Sequence, residues 1–285
     1  MTVPELPEVE ITARRLDEAL RGAEIEGALA PGINALKTFD PPLSALSGRA
    51  ITGVRRRGKH LVVDVDGDLA LLTHLMSAGR LQLFDTRASL RDRTSRLLLR
   101  VADGRELRLR EFGTKQAAWV KLLRADALED DEALATLGPD AWPDPPPLRE
   151  LLAEQGARPL HGVLRDQRVL AGIGRSWVDE ILWTARLSPF KRADDLDDDE
   201  AAALREAMVE RLGGALDHYE QVVQIPIPDK LPLPLLVHRH NGEPCPRCGT
   251  AIEAVHYEDY VLCYCPQEQT GGRVLKDRRL SRLLK

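Results

Sequence analysis

Between Gly48 and Val120 the chain returns repeatedly to short apolar runs: HLVVDV at 60–65, LALLTHL at 69–75, RLQLF at 80–84, RLLLRVA at 96–102 and ELRLREF at 106–112. Runs of this length are too short for helices and usual for strands. Asp-Gly and Gly-Asp pairs punctuate them, which suits the tight turns of antiparallel pairing. A stretch built this way folds as a β-sandwich or barrel.

On either side the period changes. From Glu5 to Leu20 the apolar residues Val9, Ala13, Leu16 and Leu20 recur at helical spacing, with Pro7 suited to a first turn and Gly22 to a C-cap. Helical patterns return at 148–155, 160–169, 176–185 and 198–218. Between them and the strands lies LGPDAWPDPPPL at 137–148, too rich in proline for regular structure and read as a semi-rigid linker. A second Pro-rich stretch, QIPIPDKLPLPLLV at 224–237, precedes a cysteine cluster. The expected domains are 1–138 for the helix and β domain, 139–149 for the linker, 150–222 for the helical domain, 223–236 for a loop, 237–270 for a metal module and 271–285 for a basic tail.

A chain of 285 residues with 43% hydrophobic and 30% charged residues can bury a core in more than one domain. No run reaches the roughly 18 to 20 apolar residues of a membrane helix, and the N-terminus lacks a basic-then-apolar leader. A cytoplasmic protein with no membrane partner is expected. The net charge of -5 does not advertise nucleic-acid binding, but its distribution does. Basic residues gather at 55–60, 105–115 and 271–285, while the acidic excess lies in ALEDDEAL and RADDLDDDEAAAL, as on solvated helix faces.

All four cysteines fall between Cys245 and Cys265, which in a reducing compartment points to metal ligands rather than disulfides. Cys245-Pro-Arg-Cys248 has the spacing of a zinc knuckle. Cys263-Tyr-Cys265 is less apt, because its single intervening residue makes it awkward for both sulfurs to reach one ion. Glu268 stands where a second knuckle cysteine would fall. The expected zinc ligands are Cys245, Cys248, Cys265 and either Cys263 or Glu268; a metal-free hairpin with buried thiols is the alternative.

Taken together, PELPEVE at 4–10, RRRGKHL with Lys59, LRDQRVLAGIG leading into DEIL, GEPCPRCG, and YCP after Cys248 resemble the formamidopyrimidine-DNA glycosylase and endonuclease VIII family over nearly the whole chain. The resemblance implies an α+β fold with an N-terminal helix and β-sandwich, a helix-two-turn-helix domain and a C-terminal β-hairpin zinc finger. It also implies a cytoplasmic, nucleoid-associated bacterial monomer acting on damaged double-stranded DNA in base-excision repair, as a glycosylase with abasic-site lyase activity and a preference for oxidised purines. In such an enzyme the N-terminal proline amine attacks C1′ of the sugar and forms a Schiff base. By resemblance Pro4 is that nucleophile, Glu5 the acid that protonates the sugar ring oxygen, and Lys59 a cation near the reaction centre. Arg110 and Phe112 match wedge residues that fill the vacated base stack, and Met76 lies one position before a third, with Ser77 at the matching site.

Several positions depart from the family pattern. Pro4 follows Val3, and an internal proline nitrogen is a tertiary amide with no nucleophilicity; a chain started at a GTG codon for Val3 and trimmed of its methionine would expose it. A phosphate-holding asparagine is replaced by Arg175, followed by Trp177 where tyrosine is usual. A lysine is replaced by His161, an arginine of the finger by Tyr260, and the fourth zinc cysteine by Glu268. Arginine can still bind phosphate, and Arg175 and His161 are expected among the DNA-binding residues with Met76, Arg110 and Phe112. The alternative function is therefore a catalytically impaired DNA-binding relative. His74 is read as structural.

Overall fold

The computed structural model describes residues 3–32, 34–89, 92–112, 116–258 and 260–275. The expected basic tail lies outside the described residues from position 276 on, as does Lys115 of the basic cluster. The chain divides into two compact units, Met1–Thr136 with Leu216–Pro232, and Leu137–Ala215 with Leu233–Lys285.

The first unit opens with helix α1 (Leu6–Leu20) and continues through β1 (Ile25–Leu29), β2 (Ile51–Arg57), β3 (His60–Val65), β4 (Leu69–His74), β5 (Gly79–Phe84), β6 (Ser95–Val101), β7 (Glu106–Glu111), β8 (Trp119–Arg124) and the single turn α2 (Glu132–Ala135). Among the described residues the strands form two antiparallel four-stranded sheets, ordered β1-β6-β7-β5 and β2-β3-β4-β8, which make a β-sandwich. A strand with one wet face exposes every second residue, whereas β3 and β4 are buried at nearly every position, so both their faces are covered. The apolar stripe of α1 (Leu6, Val9, Ala13, Leu16 and Leu20) is buried, and the helix packs on β2. Gly22, with φ of +81°, closes it in the conformation glycine adopts at lowest cost.

The second unit contains α3 (Leu148–Ala153), α4 (Leu160–Val163), α5 (Arg175–Thr184), most of α6 (Asp198–Val222), and a hairpin of β9 (Glu253–His256) and β10 (Val261–Tyr264) followed by α7 (Pro266–Thr270). Trp177, Val178, Ile181 and Leu182 bury one side of α5. Trp183 from the same helix joins Val237, Ile252, Cys245, Cys263 and Cys265 in the finger's own core.

Two segments differ from expectation for identifiable reasons. The helical domain was expected to run unbroken over 150–222, yet the end of α6 from Leu216 and the chain to Pro232 cluster with the first unit. Arg15 donates to the carbonyls of Val223 and Glu220 at 2.9 and 2.7 Å, and the Gln82 amide donates to the carbonyl of Ile227, so side chains of α1 and β5 capture this backbone. The Pro-rich stretch expected as a semi-rigid linker is held in place by hydrogen bonds. Its polar groups are bonded within the second unit: the Gly138 N–H donates to Gln167 O (2.9 Å), the Ala141 N–H to Ala171 O (3.0 Å), and Arg205 to Pro145 O (2.8 Å).

Gly138 is packed so closely that a Cβ there would meet the carbonyl oxygens of Val169 and Arg168 at 2.5 and 2.7 Å, whereas Gly214 in mid-α6 has nothing within 4 Å. Gly138→Ala should therefore lower the urea midpoint by an amount worth about 1 to 3 kcal/mol. Gly214→Ala should raise it by about 0.5 to 1 kcal/mol. Equal midpoints for the two variants would contradict this packing.

Candidate functional site

The Pro4-Glu5 pair lies at the start of α1. Pro4 is buried, and Glu5, 2% exposed, is the N-cap in extended conformation. Glu8, one turn on, accepts the Glu5 backbone N–H on Oε2 at 2.8 Å, completing a reciprocal capping box. Its other oxygen, Oε1, accepts the hydroxyl of Tyr219 at 2.8 Å. Burial, then the Glu8 charge, pushes the Tyr219 hydroxyl well above its usual range, so it remains a donor. The positive end of α1 favours both carboxylates. Burial holds Arg80 below the ordinary arginine range, against the opposing pull of Asp229 and Glu8.

Around β7 the Arg110 guanidinium lies 4.6 Å from the Phe112 ring centroid and 5.6 Å from that of Phe84. It also donates to Gln82 Oε1 at 3.2 Å and stands 3.5 Å from Asp229. Lys59 occupies the tight Gly58-Lys59 turn between β2 and β3. The pairing of β3 with β4 sets His60 opposite His74, their ring centroids 4.6 Å apart, with Trp119 stacked on His74. His74 Nδ1 accepts the N–H of Met76 at 2.9 Å, which fixes Met76 with φ of +50°. A left-handed methionine is a strained residue held by its surroundings.

In the second unit Asp179 of α5 is fully buried between two histidines. His238 Nδ1 is 2.7 Å from its Oδ2, which also accepts the N–H of Cys263 at 2.9 Å; His161 Nε2 is 3.2 Å from Oδ1 in a geometry too bent for a good hydrogen bond. Burial pushes the Asp179 carboxyl up, but the two histidines outweigh it and hold it below the usual range. His161 stacks on Tyr260, with centroids 5.8 Å apart, and Arg165 and Arg175 approach the same ring at 4.3 and 5.3 Å.

The sulfurs of Cys245, Cys248 and Cys265 lie within 4.8 Å of one another. A backbone knuckle shapes the first pair: the Cys245 N–H donates to Thr250 O and the Gly249 N–H to Cys245 O. Three converging thiols suit a soft ion such as zinc. Neither expected fourth ligand joins them. The Cys263 sulfur accepts the N–H of Arg239 at 3.3 Å, and the Glu268 carboxylate is held by Arg247 and Arg186 at 3.0 and 3.3 Å.

Comparison with known proteins decides the lineage. The family pattern for the formamidopyrimidine-DNA glycosylase N-terminal domain matches residues 3–114, and that for its H2TH domain matches 137–226. The formamidopyrimidine-DNA glycosylase of Moorella thermoacetica is 34% identical over 89% of this chain and 94% of its own; that of Herpetosiphon aurantiacus is 30% identical over 93% and 98%. The solved structure of Lactococcus lactis Fpg in complex with N7-benzyl-Fapy-dG-containing DNA superposes with a TM-score of 0.82 at 26% identity, covering 94% of this chain and 100% of that one. This chain belongs to the formamidopyrimidine-DNA glycosylase family.

Within that family fold, the expected residues fall into separate groups. Pro4 and Glu5 share the α1 start, Lys59 and Met76 flank the histidine pair, and Arg110 and Phe112 stack together. His161, expected among the DNA-binding residues, is 3% exposed and lies against Asp179, so burial and the carboxylate turn its ring to the interior. Tyr219, Glu8, Gln82, Arg80 and Arg165 were missed. Glu8 was visible inside PELPEVE as a capping residue, but nothing local connects it to Tyr219.

Burial is the main cause that lowers both histidines, joined at His60 by the Arg57 and Lys121 charges and at His74 by those of His60 and Lys59: His60 is pushed down to about 4 and His74 to about 3. Unfolded histidine titrates near 6.5, so below that pH the unfolded chain binds more protons than the folded one. Stability is therefore full above pH about 6.5 and is lost as pH falls toward 4. Wild type should lose, between pH 7 and 4.5, on the order of 2 kcal/mol per histidine more than the double variant His60→Gln, His74→Gln. Urea unfolding at the two pH values checks this, and equal losses would refute it.

Proposed function

We propose that this chain is a DNA glycosylase with abasic-site lyase activity that removes oxidised bases, purines foremost, in base-excision repair. The observation that carries the reading is the match of both family domains in order, with relatives named formamidopyrimidine-DNA glycosylase and a neighbour solved on lesion-containing DNA. In a chain whose terminus is Pro4, its free amine attacks C1′ as the base leaves with the glycosidic electrons, and the iminium formed on opening of the sugar ring activates the strand for β,δ-elimination. Glu5 protonates the sugar ring oxygen, and Lys59 supplies positive charge beside it. Arg110, Phe112 and Met76 fill the gap left by the extruded base, at a cost in unstacking of a few kcal/mol that these contacts offset. Arg175 holds a phosphate. Zinc, bound by Cys245, Cys248 and Cys265, braces the finger. The protein acts as a nucleoid-associated monomer.

One observation favours the second reading, a DNA-binding relative without lyase chemistry: the Pro4 nitrogen is an amide bonded to Val3. N-terminal sequencing of native protein, paired with borohydride trapping on a duplex carrying an abasic site, separates the two. A terminus at Pro4 with a covalent adduct, and with base release reduced at least a hundredfold in Glu5→Gln, supports the enzyme. A retained Thr2-Val3 with no adduct supports the binding protein.

The finger gives a separate expectation. Cobalt loaded in place of zinc should show thiolate-to-metal charge transfer that falls in Cys248→Ser and is unchanged in Cys263→Ser, because the Cys263 sulfur is turned to Arg239. An equal fall in Cys263→Ser would place that sulfur on the ion.

A further inference from the structure

Tyr260 replaces a finger arginine of the family pattern, which reads in isolation as a lost DNA contact. Its surroundings suggest otherwise. The Tyr257 ring lies against it with centroids 4.4 Å apart and 8° from parallel, and the Arg165 guanidinium lies 4.3 Å from the same centroid. The ring is thus already engaged by an aromatic partner and a guanidinium.

What the ring collects instead is positive charge. Arg165 comes from the loop after α4, and Arg175 from the first turn of α5, where the helix dipole adds its positive end. Two guanidiniums drawn toward one ring repel each other, and the negative face of the tyrosine offsets only part of that repulsion. The Nε–H of Arg165 is buried with no acceptor. Guanidiniums arranged this way match the oxygens of a phosphodiester, each donating from a planar fork. His161 lies near-parallel to the Tyr260 ring with centroids 5.8 Å apart and its Nε2 3.2 Å from Asp179, so the residue that replaces the family lysine borders the platform.

We infer that Tyr260 is a positioning residue whose ring holds Arg165 and Arg175 together as a paired guanidinium clamp for one DNA phosphate. The inference rests on the DNA-repair reading above and adds to it Arg165 as a phosphate ligand, with Tyr260 acting through both arginines.

The test is fluorescence anisotropy of the full chain on a duplex carrying a tetrahydrofuran abasic analogue, titrated across salt concentrations. Arg165→Gln should weaken binding roughly tenfold and reduce the slope of log affinity against log salt by about 0.9, the loss of one phosphate contact. Arg165→Lys keeps the charge but not the flat stacking surface, and should weaken binding several-fold with little change in slope. Tyr260→Phe keeps the ring and should match wild type. Tyr260→Leu should resemble Arg165→Gln and add nothing in the Arg165→Gln, Arg175→Gln background. Wild-type affinity in Tyr260→Leu, or a loss in Tyr260→Phe equal to that in Tyr260→Leu, overturns the clamp. Full affinity in Arg165→Lys does the same in a variant that leaves the finger's core untouched. A wild-type chain with no salt-dependent binding overturns the DNA reading and the clamp with it, whereas a binding wild type with a silent Tyr260→Leu overturns the clamp alone.

Discussion

The Glu8 carboxylate is the contact on which the first unit's candidate chemistry depends. One oxygen caps the helix that carries it, through the backbone N–H of Glu5; the other takes the hydroxyl of Tyr219, 211 residues away in sequence. A buried carboxylate is costly unless its oxygens are satisfied, and here both are. Glu5 is the residue being capped, so the direction in which Pro4 and Glu5 leave the helix follows from Glu8. The same bond fixes the end of α6, after which Val223, Ile227 and Asp229 are taken up by Arg15, Gln82 and Arg80. Without Glu8, the Tyr219 hydroxyl would lose its buried acceptor and the returning segment one of its anchors.

Two neighbouring carboxylates organise the second unit in a similar way. Asp179 and Glu180 are adjacent on α5 and both buried, yet they serve different clients. Asp179 gathers His161, His238 and the backbone of Cys263, while Glu180 accepts the N–H groups of Leu236, Val237 and His238 along with Arg211. Charge-assisted bonds of this kind are strong where water is excluded. They tie the 236–238 segment before the finger and strand β10 to a single helical turn. His161 is committed to that network, which is why it cannot also serve as a surface cation.

The strands and helices were legible because their signals are local. HLVVDV is β3 residue for residue, and the buried positions of α1 include all four that its spacing marks. β1 was not, since Ile25–Leu29 has only a short alternation and owes its place to pairing with β6. The helix patterned over 160–169 shortens to Leu160–Val163, because the following residues bond as turns around Asp166. Motif residues were readable for the same local reason, as PELPEVE and CPRC show. Their partners were not: no spacing rule links Glu8 to Tyr219 or Arg165 to Tyr260, since such contacts are made by folding and leave no period in the chain.

The departures from the family pattern are of two kinds, and only contact distinguishes them. Arg175, His161 and Tyr260 lie far apart in sequence, where each reads as a separate weakening of DNA contact. In space they share one ring, so a change at any of them alters the setting of the others, and the three substitutions form a single rearrangement in which the positive charge moves from the finger to the helical loops. Pro4 is different. No neighbour can give an acylated nitrogen a free electron pair, because its loss of nucleophilicity is covalent rather than environmental. Glu268 lies between these cases: Arg247 and Arg186 compensate its charge but return no thiolate to the metal site. The two kinds of departure therefore bear on different steps: the rearranged phosphate grip on how DNA is held, and the Val3–Pro4 bond on covalent attack by proline alone.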